Sequence, residues 1–256
     1  MKDVIAISSI KGGVGKSVTA IILGYIFSKR YKTLLIDIDS QASVTSYFLP
    51  FFENKIDIRE YNIYEVLKSR KSFMSIVHEI TDGLHFAPSH IKLSQFSGEN
   101  IIGQEYKLKT ILTPYFDEYD YILIDTPPSV NKELINSLMI ATKIVIPLPA
   151  ELWAIESYDI LKSKMQEIIT AYQKQDFKSY YVIQTLYEEN RKIKKEFFYS
   201  LQQLYQEYVP IKIHRSVAIQ KMITYRLEPQ ESERYYNEYL KVADVIEGVS
   251  SSIGAI

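Results

Sequence analysis

The residues best suited to chemistry lie in one glycine-rich segment near the start of the chain. Residues 10–17 read Ile-Lys-Gly-Gly-Val-Gly-Lys-Ser and stand between an apolar run and a helical pattern. Such glycines let backbone N–H groups turn toward an anion, and a helix N-terminus favours negative charge. Lys16 can reach the β- and γ-phosphates of a nucleotide, and the Ser17 hydroxyl can ligate Mg²⁺. The segment predicts a phosphate-binding loop with nucleotide contacts at Gly12, Gly13, Val14, Gly15, Lys16, Ser17 and Val18.

Carboxylates follow two apolar runs that we expect to be strands. Asp37 ends the run 33–37 with Asp39 just beyond it, and Asp125 ends the run 121–125. Parallel sheets bind ligands at the carboxyl ends of their strands, so these carboxylates are expected beside the phosphate loop. A carboxylate there can polarise the water that attacks a γ-phosphate, or hold Mg²⁺. From the residues alone, Asp39 could equally form an Asx-type turn, and a strand ending in aspartate is a weak signal.

The elements that must position these residues alternate along the chain. Short runs rich in Ile, Val, Leu and Tyr recur between longer amphipathic stretches, as strands and crossover helices do. The predicted strands are 4–8, 33–37, 84–87, 121–125, 143–146, 180–184 and 210–213. The predicted helices are 17–29, 63–69, 104–115, 132–141, 155–173, 192–208 and 231–249. The pattern predicts an α/β fold with a single doubly wound, mostly parallel sheet of about seven strands flanked by helices, as one domain over residues 1–256.

Composition excludes several classes of protein. With 30 Lys+Arg against 31 Asp+Glu the net charge is -1, so nucleic-acid binding would need local clusters of basic residues. The absence of cysteine excludes disulfide frameworks, thiolate zinc sites and iron–sulfur ligation. The apolar stretch 18–27 is about half of the roughly 20 residues that a membrane span needs. No signal peptide is recognisable, so a cytoplasmic protein is expected.

The phosphate loop departs from the general P-loop pattern, because Ile10 stands at the first glycine position and Lys11 follows directly. Lys-Gly-Gly-Val-Gly-Lys-Ser is the deviant Walker A form of the ParA/MinD superfamily, and the chain resembles its ParA-type (Soj-like) chromosome and plasmid partition ATPases. The resemblance runs nearly end to end. It implies a P-loop ATPase that hydrolyses ATP to ADP with Mg²⁺ and forms an ATP-sandwich homodimer. Lys11 would then reach the partner's nucleotide; the alternative is an ordinary solvated loop lysine.

The resemblance also implies roles for residues around the phosphate loop. Asp39 matches the aspartate that positions the attacking water, so the implied catalytic residues are Lys11, Lys16 and Asp39. The implied metal-site residues are Ser17, Asp37 and Asp125. The implied switch residues, which sense the γ-phosphate, are Asp39, Gln41, Asp125, Thr126, Pro127 and Pro128.

Softer matches concern the adenine and DNA. Residues 184–187 and 213–217 match loops that flank the adenine in relatives, although His214 replaces the usual proline. Ala218 stands where many relatives have a second arginine that contacts DNA. The predicted DNA-binding residues are Arg191, Lys192, Lys194, Lys195, Arg215, Lys221 and Arg226. A charge run is also typical of a solvated helix face, so this prediction has a plain alternative.

The function implied by the resemblance is a DNA-partition switch. ATP and Mg²⁺ would drive dimerisation, and the dimer would bind double-stranded DNA nonspecifically on the nucleoid. A ParB-like centromere-binding partner would stimulate slow hydrolysis and release, which segregates plasmid or chromosome copies. Because the chain begins at its first predicted strand, no N-terminal helix-turn-helix extension is expected.

Two other functions share the phosphate motifs. A MinD-like membrane-surface ATPase, or one that positions a protein cargo, is the first alternative; residues 247–256 carry no basic residue, so no membrane partner is expected. The second is a metabolic ligase or kinase, such as a dethiobiotin-synthetase-like enzyme or a bacterial tyrosine kinase. Lys11 disfavours the ligase, and the lack of a C-terminal tyrosine cluster disfavours the tyrosine kinase.

Overall fold

A single mixed sheet runs through the computed structural model, which describes residues 1–54, 56–149, 151–188 and 206–249. Its strands are β1 (Asp3–Ile7), β2 (Thr33–Asp37), β3 (His78–Thr81), β4 (Leu84–Ala87), β5 (Tyr121–Asp125), β6 (Lys143–Pro149), β7 (Ser179–Tyr187) and β8 (Tyr208–His214). The eight strands lie in the order β3-β4-β2-β5-β1-β6-β7-β8. All these neighbours pair in parallel except β3 and β4. The predicted α/β fold with a mostly parallel sheet is therefore confirmed.

Helices cover both faces of this sheet. They are α1 (Lys16–Ser28), α2 (Ser43–Phe48), α3 (Ile63–Leu67), α4 (Lys107–Leu112), α5 (Lys132–Ile140), α6 (Leu152–Tyr172), α7 (Val217–Tyr225) and α8 (Arg234–Glu247). One face packs against α1, α2, α7 and α8, and the other against α3 to α6. Every residue of β1, β2, β5 and β6 is buried for this reason, which explains their unbroken apolar sequences. Among the described residues, no helix has the length and apolar character to cross a membrane.

The structure differs from the predicted elements at several places. The eighth strand, β3, is a short antiparallel edge with only Ile80 buried, so it leaves no apolar run in the sequence. The predicted helix 104–115 is α4 flanked by 3-10 turns at Gln104–Tyr106 and Thr113–Glu118. The predicted helix 192–208 lies largely outside the described residues, and its end is wrong because Tyr208 begins β8. Neither α2 nor α7 was predicted, because both are short and irregular in pattern.

The register of the central strands brings the functional segments together. Asp37 of β2 pairs with Asp125 of β5, and Asp125 also pairs with Ile7 of β1. The glycine-rich loop leaves the same end of β1 and leads directly into α1. The carboxyl ends of three adjacent parallel strands therefore meet at one edge of the sheet, where such folds bind ligands.

Candidate functional site

A cavity of about 780 Å³ opens at this edge. The phosphate loop and the start of α1 form its floor, and Asp39, Gln41 and Pro128 approach from the predicted switch segments. Its far wall comes from the end of β7, the loop after β8 and α7, including Thr185 and His214. The fold thus gathers into one cavity residues that lie far apart in the sequence.

The glycines of the loop shape an open cradle. Gly13 and Gly15 have φ values of +74° and +95°, which L side chains rarely adopt. A Cβ built on Gly12 or Gly13 would meet nothing within 4 Å, so the loop backbone faces free space. Gly15 directly precedes α1, whose first N–H groups have no side-chain cap. Unused N–H donors at a helix start, beside an open concave loop, fit a phosphate group.

Lys16 is buried at the base of this cradle. Its Nζ donates a hydrogen bond of 3.0 Å to the carbonyl oxygen of Lys11 within the loop. Burial lowers the pKa of Lys16, while the nearby Asp125 and Asp39 carboxylates favour its charged form. The ammonium group therefore lies beside the cradle with its remaining donors available for an anion.

Asp125 lies beside the first turn of α1 and is fully buried. Its Oδ2 accepts a 2.7 Å hydrogen bond from Ser17 Oγ, whereas its Oδ1 has no hydrogen-bond partner among the described residues. Burial, and then the neighbouring Asp37, raise the pKa of Asp125 well above the usual range. A buried carboxylate oxygen left without a donor, next to a hydroxyl, fits a hard cation such as Mg²⁺.

Asp37 is also fully buried, but both of its oxygens are occupied. Oδ1 accepts from the backbone N–H of Asp39 at 3.0 Å, and Oδ2 accepts from the N–H and hydroxyl of Thr45 at 2.9 and 2.8 Å. Burial raises the pKa of Asp37 to about 7, although these hydrogen bonds act to lower it. The geometry makes Asp37 the anchor of the segment that carries Asp39, and its place in a metal shell stays a prediction.

The sequence allows two interpretations of Asp39, an Asx-type turn and a carboxylate beside the phosphates, and its geometry fits both. Its Oδ1 accepts a 2.9 Å hydrogen bond from the backbone N–H of Gln41, which is the expected Asx-type turn. The same side chain lines the cavity and is 6% exposed. Burial raises the pKa of Asp39, while Lys16 acts in the opposite direction. The turn therefore fixes a carboxylate that faces the phosphate cradle.

The predicted switch residues Asp125 to Pro128, the second of the two switch segments after Asp39 and Gln41, are hydrogen-bonded to the end of β1. Thr126 is buried, and its hydroxyl donates to the carbonyl oxygen of Ile7 at 3.0 Å. The hydroxyl of Ser8, the first residue after β1, lies 2.7 Å from the same Thr126 oxygen. Pro127 is buried just after them, and Pro128 lines the cavity. These hydrogen bonds join the segment to the residues that lead into the phosphate loop, so a displacement of that loop would act on the segment.

Lys11 lies at the rim of the cavity in an ion pair that sequence analysis missed. Its Nζ contacts Glu151, which immediately precedes α6, and the two side chains are 30% and 52% exposed. No motif marks Glu151, because it is 140 residues away along the chain. The pair forms because β1 and β6 are adjacent parallel strands, so Lys11, which follows β1, and Glu151, which follows β6, meet beyond their carboxyl ends.

Thr185, near the end of β7, lies in the segment 184–187 that was predicted to flank the adenine, but its contact with the phosphate loop was not predicted. Its hydroxyl donates a 2.8 Å hydrogen bond to the carbonyl oxygen of Val14, inside the phosphate loop. Its methyl carbon is also the nearest atom, at 4.0 Å, to a Cβ built on Gly15. No local motif predicts this hydrogen bond, because Thr185 and Val14 lie 171 residues apart in the chain.

The predicted DNA-binding residues divide into two groups. Arg191, Lys192, Lys194 and Lys195 lie outside the described residues. Arg215, Lys221 and Arg226 are exposed on or beside α7, and Arg215 pairs with Glu188 at 3.1 Å. Of the three, Arg215 also lines the cavity, and the contact of all three with DNA stays a prediction.

Comparison with known proteins relates this site to a family. A family model described as an AAA domain matches residues 2–178. The uncharacterised protein MJECL24 of Methanocaldococcus jannaschii is 31% identical over 227 residues, which cover 85% of this chain and 86% of that protein. The sporulation initiation inhibitor protein Soj of Bacillus subtilis is 36% identical over 160 residues, 61% of this chain and 62% of Soj.

Solved structures of plasmid partition proteins are also similar to this chain. A plasmid partition protein from Borrelia burgdorferi is 34% identical, with a TM-score of 0.82 over 96% of this chain and 98% of that one. A protein of the same kind from strain B31, bound to AMPPNP, is 33% identical, with a TM-score of 0.86 over 96% and 100% of the two chains. The chain therefore belongs to the AAA domain family and, within it, to the ParA-type (Soj-like) partition ATPases.

Proposed function

We propose that the chain is an ATP-dependent partition switch. It dimerises with ATP and Mg²⁺, binds DNA nonspecifically as the dimer, and hydrolyses ATP slowly under the stimulation of a ParB-like partner, which segregates plasmid or chromosome copies. The observation that carries the proposal is the convergence of the glycine cradle, Lys16, the Ser17–Asp125 pair and Asp39 on one cavity. The AMPPNP bound to the Borrelia burgdorferi relative supports a nucleotide at this place.

Nucleotide binding begins at the cradle. Backbone N–H groups of residues 12–17 would hold the phosphates, and Lys16 would exchange its bond to the Lys11 carbonyl for phosphate oxygens. Such an exchange is favourable because a charge-assisted hydrogen bond is stronger than one to a neutral carbonyl. The phosphates would also offset the burial of the ammonium group.

Ser17 and Asp125 are the residues that would hold Mg²⁺. Within the described part of the chain, no three His, Cys, Asp or Glu side chains are grouped to hold a metal ion. A site with few protein ligands suits Mg²⁺, which usually takes its remaining ligands from water and nucleotide phosphates. When bound, the ion would neutralise charge that develops on the phosphates. Ser17 and the free Asp125 oxygen would fix its position.

Hydrolysis depends on Asp39. Its carboxylate would hold the attacking water in line with the γ-phosphorus and accept a proton from it. The water oxygen then bonds to phosphorus while the bond to the leaving ADP oxygen breaks. Asp37 maintains this geometry through its hydrogen bond to the Asp39 backbone.

Dimerisation depends on Lys11. In the structure this lysine is paired within its own chain to Glu151 at the cavity rim. To reach a partner's nucleotide, Lys11 would have to leave Glu151. Assembly of the dimer would therefore lose the small energy of this exposed ion pair. Exposed ion pairs contribute about 0–1 kcal/mol, which a γ-phosphate can exceed.

The dimer would present its basic residues to DNA. Arg215, Lys221 and Arg226 lie around α7, which also borders the nucleotide cavity. Contacts of such residues with the phosphate backbone carry no sequence information and weaken as salt rises.

Sedimentation and ATPase assays test the proposal. With ATP and Mg²⁺, Asp39→Ala should bind ATP, sediment as a dimer and hydrolyse at least about 100-fold more slowly than the wild type. Lys11→Ala should bind ATP and stay monomeric. Asp117→Ala, at an exposed site remote from the cavity, is the matched control and should behave as wild type. A monomeric Asp39→Ala protein under saturating ATP would contradict the assembly step.

A further inference from the structure

The end of β8 and the loop that follows it form part of the wall of the nucleotide cavity. His214, Arg215 and Ser216 all line the cavity. Ser216 also caps α7, because its Oγ accepts from the backbone N–H of Ala218 at 3.1 Å and of Ile219 at 3.4 Å. The position of this short loop therefore sets the position of α7, which forms part of the same wall.

His214 is held by Glu238, one turn into α8. The backbone N–H of His214 donates to Glu238 Oε2 at 3.0 Å, and its ring Nδ1 lies 2.7 Å from Oε1. One carboxylate thus binds both the main chain and the side chain of the same loop residue. Charge-assisted hydrogen bonds of this kind are about twice as strong as neutral ones.

Arg234 completes the arrangement from the first turn of α8. Its Nε donates to Glu238 Oε1 at 2.8 Å, and its Nη2 lies 2.8 Å from His214 Nε2. Because a guanidinium only donates, Nε2 must accept and Nδ1 must carry the donated proton. One neutral tautomer of His214 therefore fits its ring contacts with both Glu238 and Arg234.

The surroundings of this network make it rigid. The His214 and Glu238 side chains are 15% and 13% exposed, so water competes weakly for their hydrogen bonds. The Tyr187 ring packs edge-on against His214, with centroids 5.0 Å apart. Tyr239, next to Glu238, pairs with the Thr19 hydroxyl of α1 at 3.0 Å. Helix α8 therefore connects the phosphate-binding helix to the loop after β8.

We propose that His214, Glu238 and Arg234 are positioning residues that hold the loop after β8 as the wall of the base subsite, and so determine affinity for the nucleobase half of the nucleotide. This inference rests on the proposed nucleotide-binding function. The network does not touch the phosphate cradle, so its loss should weaken binding of the base and spare binding of the phosphates.

Binding of two Mg²⁺-loaded probes tests the proposal: ATP, and inorganic tripolyphosphate, which lacks base and ribose. His214→Leu should weaken ATP binding by about 5–10-fold, as expected for loss of charged hydrogen bonds, and change tripolyphosphate binding less than about 2-fold. His214→Asn retains a donor toward Glu238 and should recover most of the ATP affinity. Glu231→Gln, an exposed glutamate just before α8, is the control and should change neither ligand.

Glu238→Gln keeps the shape of the side chain and serves as the second variant if His214→Leu fails to fold. It should reduce ATP affinity about 3-fold without affecting tripolyphosphate. Equal weakening of both ligands, or unchanged ATP binding in folded variants, would overturn the inference. A wild-type protein that binds no ATP would overturn the proposed function itself, so the two failures are distinguishable.

Discussion

The two halves of the nucleotide cavity are built in different ways. The phosphate half comes from β1, β2 and β5 at the centre of the sheet, and its carboxylates Asp37 and Asp125 are fully buried. The half proposed to hold the base comes from β7 and β8, at the end of the strand order, with α7 and α8, where Arg215 and Arg234 are exposed.

This difference follows from what each half must do. Phosphates need dense charge and fixed backbone donors, which a contiguous loop at a helix N-terminus supplies. A base needs a shaped wall, which separate elements can build with many combinations of side chains. We expect changes in the phosphate half to abolish function and changes in the base half to adjust affinity.

The largest expected effect is a loss of ATP affinity that distinguishes two buried lysines, Lys16 and Lys174. Lys16, beside the cavity, donates a hydrogen bond to the Lys11 carbonyl. Lys174, just after the end of α6, donates one to the Met139 carbonyl. Burial lowers the pKa of both lysines. Lys16→Ala should reduce ATP affinity at least about 100-fold, because a charged donor contributes roughly 1.5–3 kcal/mol per hydrogen bond. Lys174→Ala should lower stability and leave ATP affinity unchanged. Calorimetric titration of both variants distinguishes phosphate binding from the general cost of losing a buried lysine.

The next effect concerns Asp125. Asp125→Asn keeps an acceptor for Ser17 but removes the charge beside the predicted Mg²⁺, so hydrolysis should fall about 10–100-fold. The loss should shrink when Mn²⁺ replaces Mg²⁺ at high concentration. An unchanged rate of phosphate release would show that Asp125 has no part in the reaction.

The same variant has a predicted effect on stability, measured without nucleotide and in a metal chelator. Burial raises the pKa of Asp37 from 3.8 to about 7, and burial together with the neighbouring Asp37 raises the pKa of Asp125 well above its usual range. The native state thus binds protons more tightly than the unfolded chain, so stability is lost as pH rises through these native values. Asp125→Asn should melt about 2–4 °C above the wild type at pH 8, and the difference should shrink toward pH 5. A difference that grows as pH falls would contradict the assignment.

A smaller effect is expected where the two halves meet. Thr185 of the base half donates to the Val14 carbonyl in the phosphate loop. Thr185→Val keeps the shape but removes the donor, so ATP affinity should fall about 3–10-fold, in line with one buried hydrogen bond. Thr185→Ser should retain wild-type affinity. If both variants bind ATP equally, the hydroxyl does not support the loop.

The smallest effect concerns the rim. Glu151→Gln removes the charge that holds Lys11 in its own chain and should favour ATP-dependent dimerisation by about 2–5-fold, since exposed pairs contribute about 0–1 kcal/mol. The concentration at half-assembly, measured by sedimentation with ATP, reports this change. Glu156→Gln, farther along α6, is the matched control. Weaker assembly of Glu151→Gln would indicate that Glu151 contributes to the dimer contact instead.

Sequence patterns indicated the elements around the phosphate loop more clearly than those around the proposed base subsite, for a physical reason. The central strands are covered on both faces, so their apolar runs and terminal aspartates stand out in the sequence. Strand β3 has four residues of which only Ile80 is buried, and helix α7 has nine residues of which only Met222 is buried, so neither leaves an apolar run in the sequence. Partners such as Glu151 for Lys11 and Glu238 for His214 arise from packing of distant elements, which no local motif records.

Binding of the Asp39→Ala protein to a random-sequence DNA duplex tests the central claim most directly. The measurement uses ATP, ADP or no nucleotide, each with Mg²⁺ and at two salt concentrations. The account predicts binding with ATP alone, weaker at the higher salt because the contacts are to phosphates. Absence of binding in every state, or equal binding in all three, would contradict an ATP-gated DNA switch and favour a membrane or protein surface as the partner.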